Sequence, residues 1–210
     1  MAASVIELDD SLPSELVPLS WLIGVWEGTG VVNYAVGEDV RTHEFGHRLS
    51  FSHDGLPHLN YSSYTWLLEA SAGLGQAIGS RPLAAETGYW KLSRPATEGD
   101  AGPGLLPGVG VRPFATARSV EALRNASGGF DVEVSILHPG GVSELYLGQV
   151  KGPRIDLSTD AVLRSVNAKE HTASTRMYGL VDKHLLWAWD IAALGQSLAT
   201  HASGRLARVD

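Results

Sequence analysis

The chain has no cysteine among its 210 residues. That removes disulfides, thiolate-bound zinc, iron–sulfur clusters and cysteine nucleophiles together, and leaves histidine and carboxylates to hold any metal. Charge is also sparse. Sixteen Lys and Arg stand against 23 Asp and Glu, 19% of the chain in all, for a net charge of -7 with no run of basic residues. A basic stripe is the footprint of nucleic-acid or anionic-membrane binding, so neither partner is expected. No apolar run approaches the roughly 18 residues of a membrane span. The N-terminal "MAASVIELDD" lacks the basic start and apolar stretch of a signal peptide, and a cytoplasmic location is the expectation. G-x-S-x-G, P-loop and H-E-x-x-H patterns are missing too, so ordinary hydrolase or nucleotide chemistry has no support.

What is present describes one globular domain rich in turns: 44% hydrophobic residues with 24 Gly and 10 Pro. "LPSELVPLSWLIG" has the makings of one or two helical turns, with Ser14 as cap ahead of Glu15 and Leu16. After it, strand signals dominate. "THEFGHRLSFSH" alternates, with His43, Phe45, His47, Leu49, Phe51 and His53 on one face and polar residues on the other. Asp54-Gly55 then turns the chain into "HLNYSSYTWLLE", and further short strands follow at turn-punctuated intervals. No crossover helices separate them. The pattern predicts an all-β, antiparallel sandwich or up-and-down barrel, and closure is favoured because it removes sheet edges. Residues 1–12 read as a flexible N-terminus and 13–210 as a single domain. Two stretches interrupt the strands: 70–80, and 94–129, whose Gly, Pro and Ala content reads as a mobile surface insertion able to lengthen a barrel rim or cover a pocket.

"GVWEGTG", Gly24 to Gly30, fits G-x-W-x-G-x-G, with Gly24, Trp26, Gly28 and Gly30 as its marked positions. Alone it describes many bent barrel strands, with a tryptophan plugging the barrel end. The chain also carries, in order, "FSHDG", "ETGYW", "LHPGGVSELYLG", "IDLSTD", "NAKEHTA", "LLWAWDIAALGQSLATH" and "RLARV". Together these closely resemble the nitrobindin family. The resemblance implies an antiparallel barrel of about ten strands, like that of fatty-acid-binding proteins, carrying a b-type haem at its open end. It further implies that ferric haem isomerises peroxynitrite to nitrate and that the ferrous form binds nitric oxide. By position, His201 in "GQSLATH" matches the axial ligand of the haem iron, and Lys169 in "NAKE" falls where the family places a residue at the haem edge. One departure is visible: the family's Tyr-Pro-Thr is here Tyr34-Ala35-Val36.

A haem needs one neutral imidazole, apolar slots for its faces and cations for its carboxylates. His201 supplies the first, Lys169 is the propionate candidate, and Leu83, Ile191 and Leu198 are apolar pocket candidates that could equally be ordinary core. His43, His47 and His53 spread over about 30 Å of one strand, too far to converge on one ion; His43 and His47 alone could form a chance pair. His138, before Pro139, reads as structural, and Trp187 and Trp189 as packing residues at period two. Inward-facing positions read as mostly apolar. Two other classes stay open: a barrel that senses nitric oxide or carries a small apolar ligand without an isomerase activity, and a haemless interaction platform. A homodimer is compatible with the sequence.

Overall fold

A computed structural model describes residues 11–36, 39–68, 80–193 and 195–209. Residues 1–10 of the N-terminal tail, and all but the last residue of the 70–80 stretch, lie outside the described residues. Ten antiparallel strands follow one another: β1 (Gly24–Val36), β2 (Asp39–Ser52), β3 (Leu59–Leu68), β4 (Ser80–Leu92), β5 (Phe130–His138), β6 (Val142–Val150), β7 (Arg154–Arg164), β8 (His171–Val181), β9 (His184–Ala193) and β10 (Ala199–Arg208). Each pairs with its neighbours in sequence, and β1 pairs with β10, closing an up-and-down barrel. Alternation drives the closure. In β2 Phe45, His47, Leu49 and Phe51 are buried while Glu44 and Arg48 face solvent, and Phe130, Val132, Val134 and Ile136 do the same in β5.

One end of the barrel is corked. Ser14–Leu22 forms a 3₁₀ helix, and at three residues per turn its Leu16, Leu19 and Leu22 fall on one line. All three are fully buried against a core that includes Trp26, Trp90, Ile136 and Leu206. At roughly 1.5–3 kcal/mol for each buried leucine, this plug is a large part of the closed end's stability. Trp26 Nε1 donates to the Leu22 carbonyl at 2.7 Å, tying helix to barrel. Ser14 does not cap the helix, as its sequence position suggests; its hydroxyl donates to the Ala115 carbonyl, 3.0 Å away, across the chain. The glycine motif works by close approach. A Cβ on Gly28 would overlap the Arg205 carbonyl oxygen, and one on Gly30 the Ser203 carbonyl and the Phe45 ring.

Segment 94–129 joins β4 to β5 at this corked end, opposite the end where β10 begins. It therefore lies at the corked rim and does not cover the open mouth; which end of a barrel a connection serves depends on strand parity, which composition does not carry. Arg94 makes hydrogen-bonded ion pairs with both Glu15 (2.7 and 3.1 Å) and Asp100 (2.7 Å twice). Its guanidinium lies 5.0 Å over the Phe114 ring. A short helix, α1 (Ala117–Glu121), starts from a Thr116–Ser119 capping box and buries Val120.

Candidate functional site

The open half of the barrel holds a cavity of about 640 Å³, mid-range for a cofactor site. Strand register sets its levels. Val32 of β1 faces His43 on β2 and Ala202 on β10, so these residues share one level near the mouth. His47 lies four residues deeper along β2, about 13 Å down.

Two β-bulges shape the mouth. In β10 the pairing with β9 passes from Thr200 to Ala202 and skips His201. Strict alternation would put His201 and Ala202 on opposite faces; the extra residue lets both line the cavity. In β4 the pairing passes from Ala84 to Pro82 and skips Leu83, and Leu83 and Ala84 likewise both line the cavity. Leu83 is half-exposed at the rim.

Burial holds the His201 imidazole neutral by lowering its pKa; a hydrogen bond to the backbone of Asn33 acts the other way, and the nearby His171 adds to the lowering. A backbone bond that favours the protonated ring means the Asn33 carbonyl accepts from one imidazole N–H. The other nitrogen then carries the lone pair a metal requires. Trp189 meets the ring edge-on, with centroids 5.5 Å apart and planes at 86°. Phe45, Leu67 and Trp187 give the cavity apolar wall, and Arg41 and Arg81 bring positive charge to its mouth. Neither arginine has an ion pair among the described residues. A neutral imidazole aimed into an apolar slot with cations at the rim fits a b-type haem.

Three of the sequence candidates stand apart from this lining. Lys169 is exposed in the turn between β7 and β8, Leu198 is half-exposed just before β10, and Ile191 sits two residues beyond Trp189 on β9. None of the three is among the cavity-lining residues. His43 pairs with the Tyr34 hydroxyl at 3.2 Å and His47 with Ser63 at 2.9 Å, and no group of three or more metal-ligating side chains occurs among the described residues. Burial lowers His47 to a pKa of about 4, so it is neutral at pH 7.

The floor of the cavity corrects the expectation of an apolar interior. Arg176, 4% exposed, grips Glu86 with two bonds of 2.9 and 2.8 Å and donates from Nε to the Tyr146 hydroxyl at 3.0 Å. Tyr61 also donates to Glu86, at 2.9 Å. Burial alone would push the Glu86 carboxyl up, but the guanidinium outweighs it and holds the pKa at about 2. Behind Trp189, the buried Glu144 accepts from His138 (2.7 Å), His171 (2.8 Å) and Ser174 (2.6 Å), so His138 has the structural role its turn position suggests. Against burial, those hydrogen bonds keep Glu144 well below the usual carboxylate range. Arg176 lies 4.4 Å over the Trp189 ring, whose plane is 10° from that of His138. Sequence reasoning passed over these residues, yet a signal existed. Glu86 shares its period-two face with Trp90, and Arg176 with Tyr178.

Comparison with known proteins decides the family. The profile of the THAP4-like, heme-binding β-barrel domain matches residues 15–208. The chain belongs to this family. The THAP4-like haem barrel is thus the same architecture that the nitrobindin resemblance implies, and haem is its cofactor. A protein of Leifsonia xyli subsp. xyli named peroxynitrite isomerase is 66% identical over 206 residues, 98% of this chain and 100% of that protein. One of the same name from Kocuria rhizophila is 50% identical over 98% of this chain and 96% of its own length. Among solved structures, Rv2717c from M. tuberculosis superposes with a TM-score of 0.63 at 26% identity, covering 97% of this chain and 100% of that one.

Proposed function

We propose that this THAP4-like barrel is a haem-dependent peroxynitrite isomerase that converts peroxynitrite to nitrate, and that His201 is the residue that would ligate the haem iron. The observation that carries the reading is the β10 bulge, which turns a neutral, carbonyl-anchored imidazole into the cavity. When bound, the haem iron supplies an electrophilic centre for the peroxide oxygen of the substrate, so no protein acid or base is required. The chain's own residues do the rest. Asn33 and Trp189 fix the plane and tautomer of His201. Arg41 and Arg81 would pair with the haem carboxylates, and they draw an anionic substrate to the mouth of a protein whose net charge is otherwise negative. We assign Leu83 to a haem-face contact, and Lys169, Ile191 and Leu198 to the outer rim. Phe45 and Trp187 keep water and stray donors from the reacting atoms. The iron held by His201 would, when reduced, bind nitric oxide.

A carrier of carboxylate-bearing lipids is less well supported, because the donors of Arg176 are spent on Glu86 and Tyr146. The test is an absorbance spectrum of protein supplied with haem, followed by rapid mixing with peroxynitrite. A Soret band and accelerated decay, both abolished in His201→Ala, are expected. The same band and the same decay in His201→Ala would overturn the assignment.

A further inference from the structure

The chain has six tyrosines. Tyr61, Tyr146 and Tyr178 are buried, while Tyr34, Tyr64 and Tyr89 are 39%, 43% and 54% exposed. Exposure therefore ranks the last three nearly equal. Their surroundings differ. Tyr64 stacks on Trp66 and Tyr89 meets His58 edge-on, and neither lines the cavity. Tyr34 lines the mouth, one residue beyond the Asn33 carbonyl that anchors His201. Its ring stacks on His43, with centroids 5.7 Å apart and planes at 18°, and its hydroxyl lies 3.2 Å from His43 Nε2. Among the described residues it is the only one of these three whose hydroxyl is hydrogen-bonded to a side-chain base. A phenol gives up an electron far more readily when its proton has an acceptor in place. His43, which the haem site leaves unused, is that acceptor in the tautomer that carries its proton on Nδ1.

We propose that the Tyr34–His43 pair is a modification site, at which part of the peroxynitrite entering the cavity is diverted into 3-nitrotyrosine. The inference rests on the peroxynitrite reading above. Cleavage of the O–O bond yields nitrogen dioxide and a second oxygen that is short of one electron. Tyr34 supplies that electron and its phenolic proton passes to His43. The second oxygen, reduced, takes up two protons and leaves as water. Nitrogen dioxide forms a C–N bond at the ring carbon next to the phenoxyl, and the hydrogen displaced there returns to the phenol oxygen. In sum, tyrosine, peroxynitrite anion and one proton give nitrotyrosine and water. The site takes a product formed in the same cavity, so it reports on leakage from isomerisation.

The experiment treats the haem-loaded chain with a few equivalents of peroxynitrite and maps nitration by peptide mass spectrometry, while recording the decay rate. Nitration of Tyr34 should exceed that of Tyr64 and Tyr89 by at least about tenfold, a conservative share of the 10²–10⁴ that a positioned base contributes. His43→Gln, which keeps a polar neighbour but removes the base, should return Tyr34 to the level of the outer-wall tyrosines. In the haem-free chain the three should follow exposure. Rapid decay with uniform nitration, or Tyr34 nitration unchanged in His43→Gln, overturns this inference and leaves the isomerase reading standing. Decay no faster than with the haem-free chain overturns both.

Discussion

The two ends of the barrel each hold an arginine between two carboxylates, part-buried at one end and buried at the other, yet they are built for different ends. At the corked end Arg94 joins Glu15 and Asp100 beside a plug of fully buried leucines, and its contacts tie a long connection to a 3₁₀ helix. At the cavity floor Arg176 joins Glu86, stands 3.8 Å from Glu144, and lies over the tryptophan that packs on His201. The first arginine fastens chain segments. The second fastens the wall behind a site. A buried ion pair costs desolvation wherever it is placed, so its surroundings, not its existence, indicate what it is for.

Substitutions should separate the two. The largest effect belongs to the site: His201→Ala should lose the Soret band while its unfolding midpoint without haem stays close to that of the parent chain. Next, Arg176→Met leaves Glu86 buried without its partner and should cost roughly 3–5 kcal/mol in denaturant unfolding; it should also weaken haem binding, since Trp189 loses the cation over its ring. Arg94→Met should cost less, about 1.5–3 kcal/mol, the worth of charge-assisted hydrogen bonds whose Asp100 partner can return to water. Its haem affinity should be unchanged, and a weakened Soret titration in Arg94→Met would break the contrast.

Acid should act first at the cavity end. The folded pKa of His47, about 4, lies below its ordinary 6.5, so the unfolded chain binds the extra proton between those values. Stability present at pH 7 is then lost as pH falls from about 6.5 toward 4, by roughly 3 kcal/mol in total. Glu86 follows, from 4.5 down to about 2, as its carboxylate is protonated away from Arg176. Thermal unfolding in His47→Leu should lose the upper part of this dependence and keep the lower. The smallest effect is expected at the corked end: Thr116→Ala removes the cap of a five-residue helix and should cost about 0.5–1 kcal/mol by calorimetry.

Much of the fold was legible in order. Period-two alternation marked the strands, the glycine motif marked β1, and the succession of short motifs pointed to His201 as a ligand and to a haem barrel. Leu83 stands out in the sequence only as one apolar residue among three. The polar floor was passed over because single charges such as Glu86 and Arg176 carry no local label of face; their partners lie 90 residues apart. The arginines at the mouth carry no local label for the same reason, and only motif position singles out Lys169.

Composition and alternation by themselves determined a cysteine-free, all-β chain whose metal ligands must be histidine or carboxylate, because those properties depend only on which residues are present and on a repeat of two. Which residues face the cavity was decided by tertiary structure. The bulges at His201 and Leu83 break the repeat at the mouth, and a bulge exists only in the pairing of one strand with another.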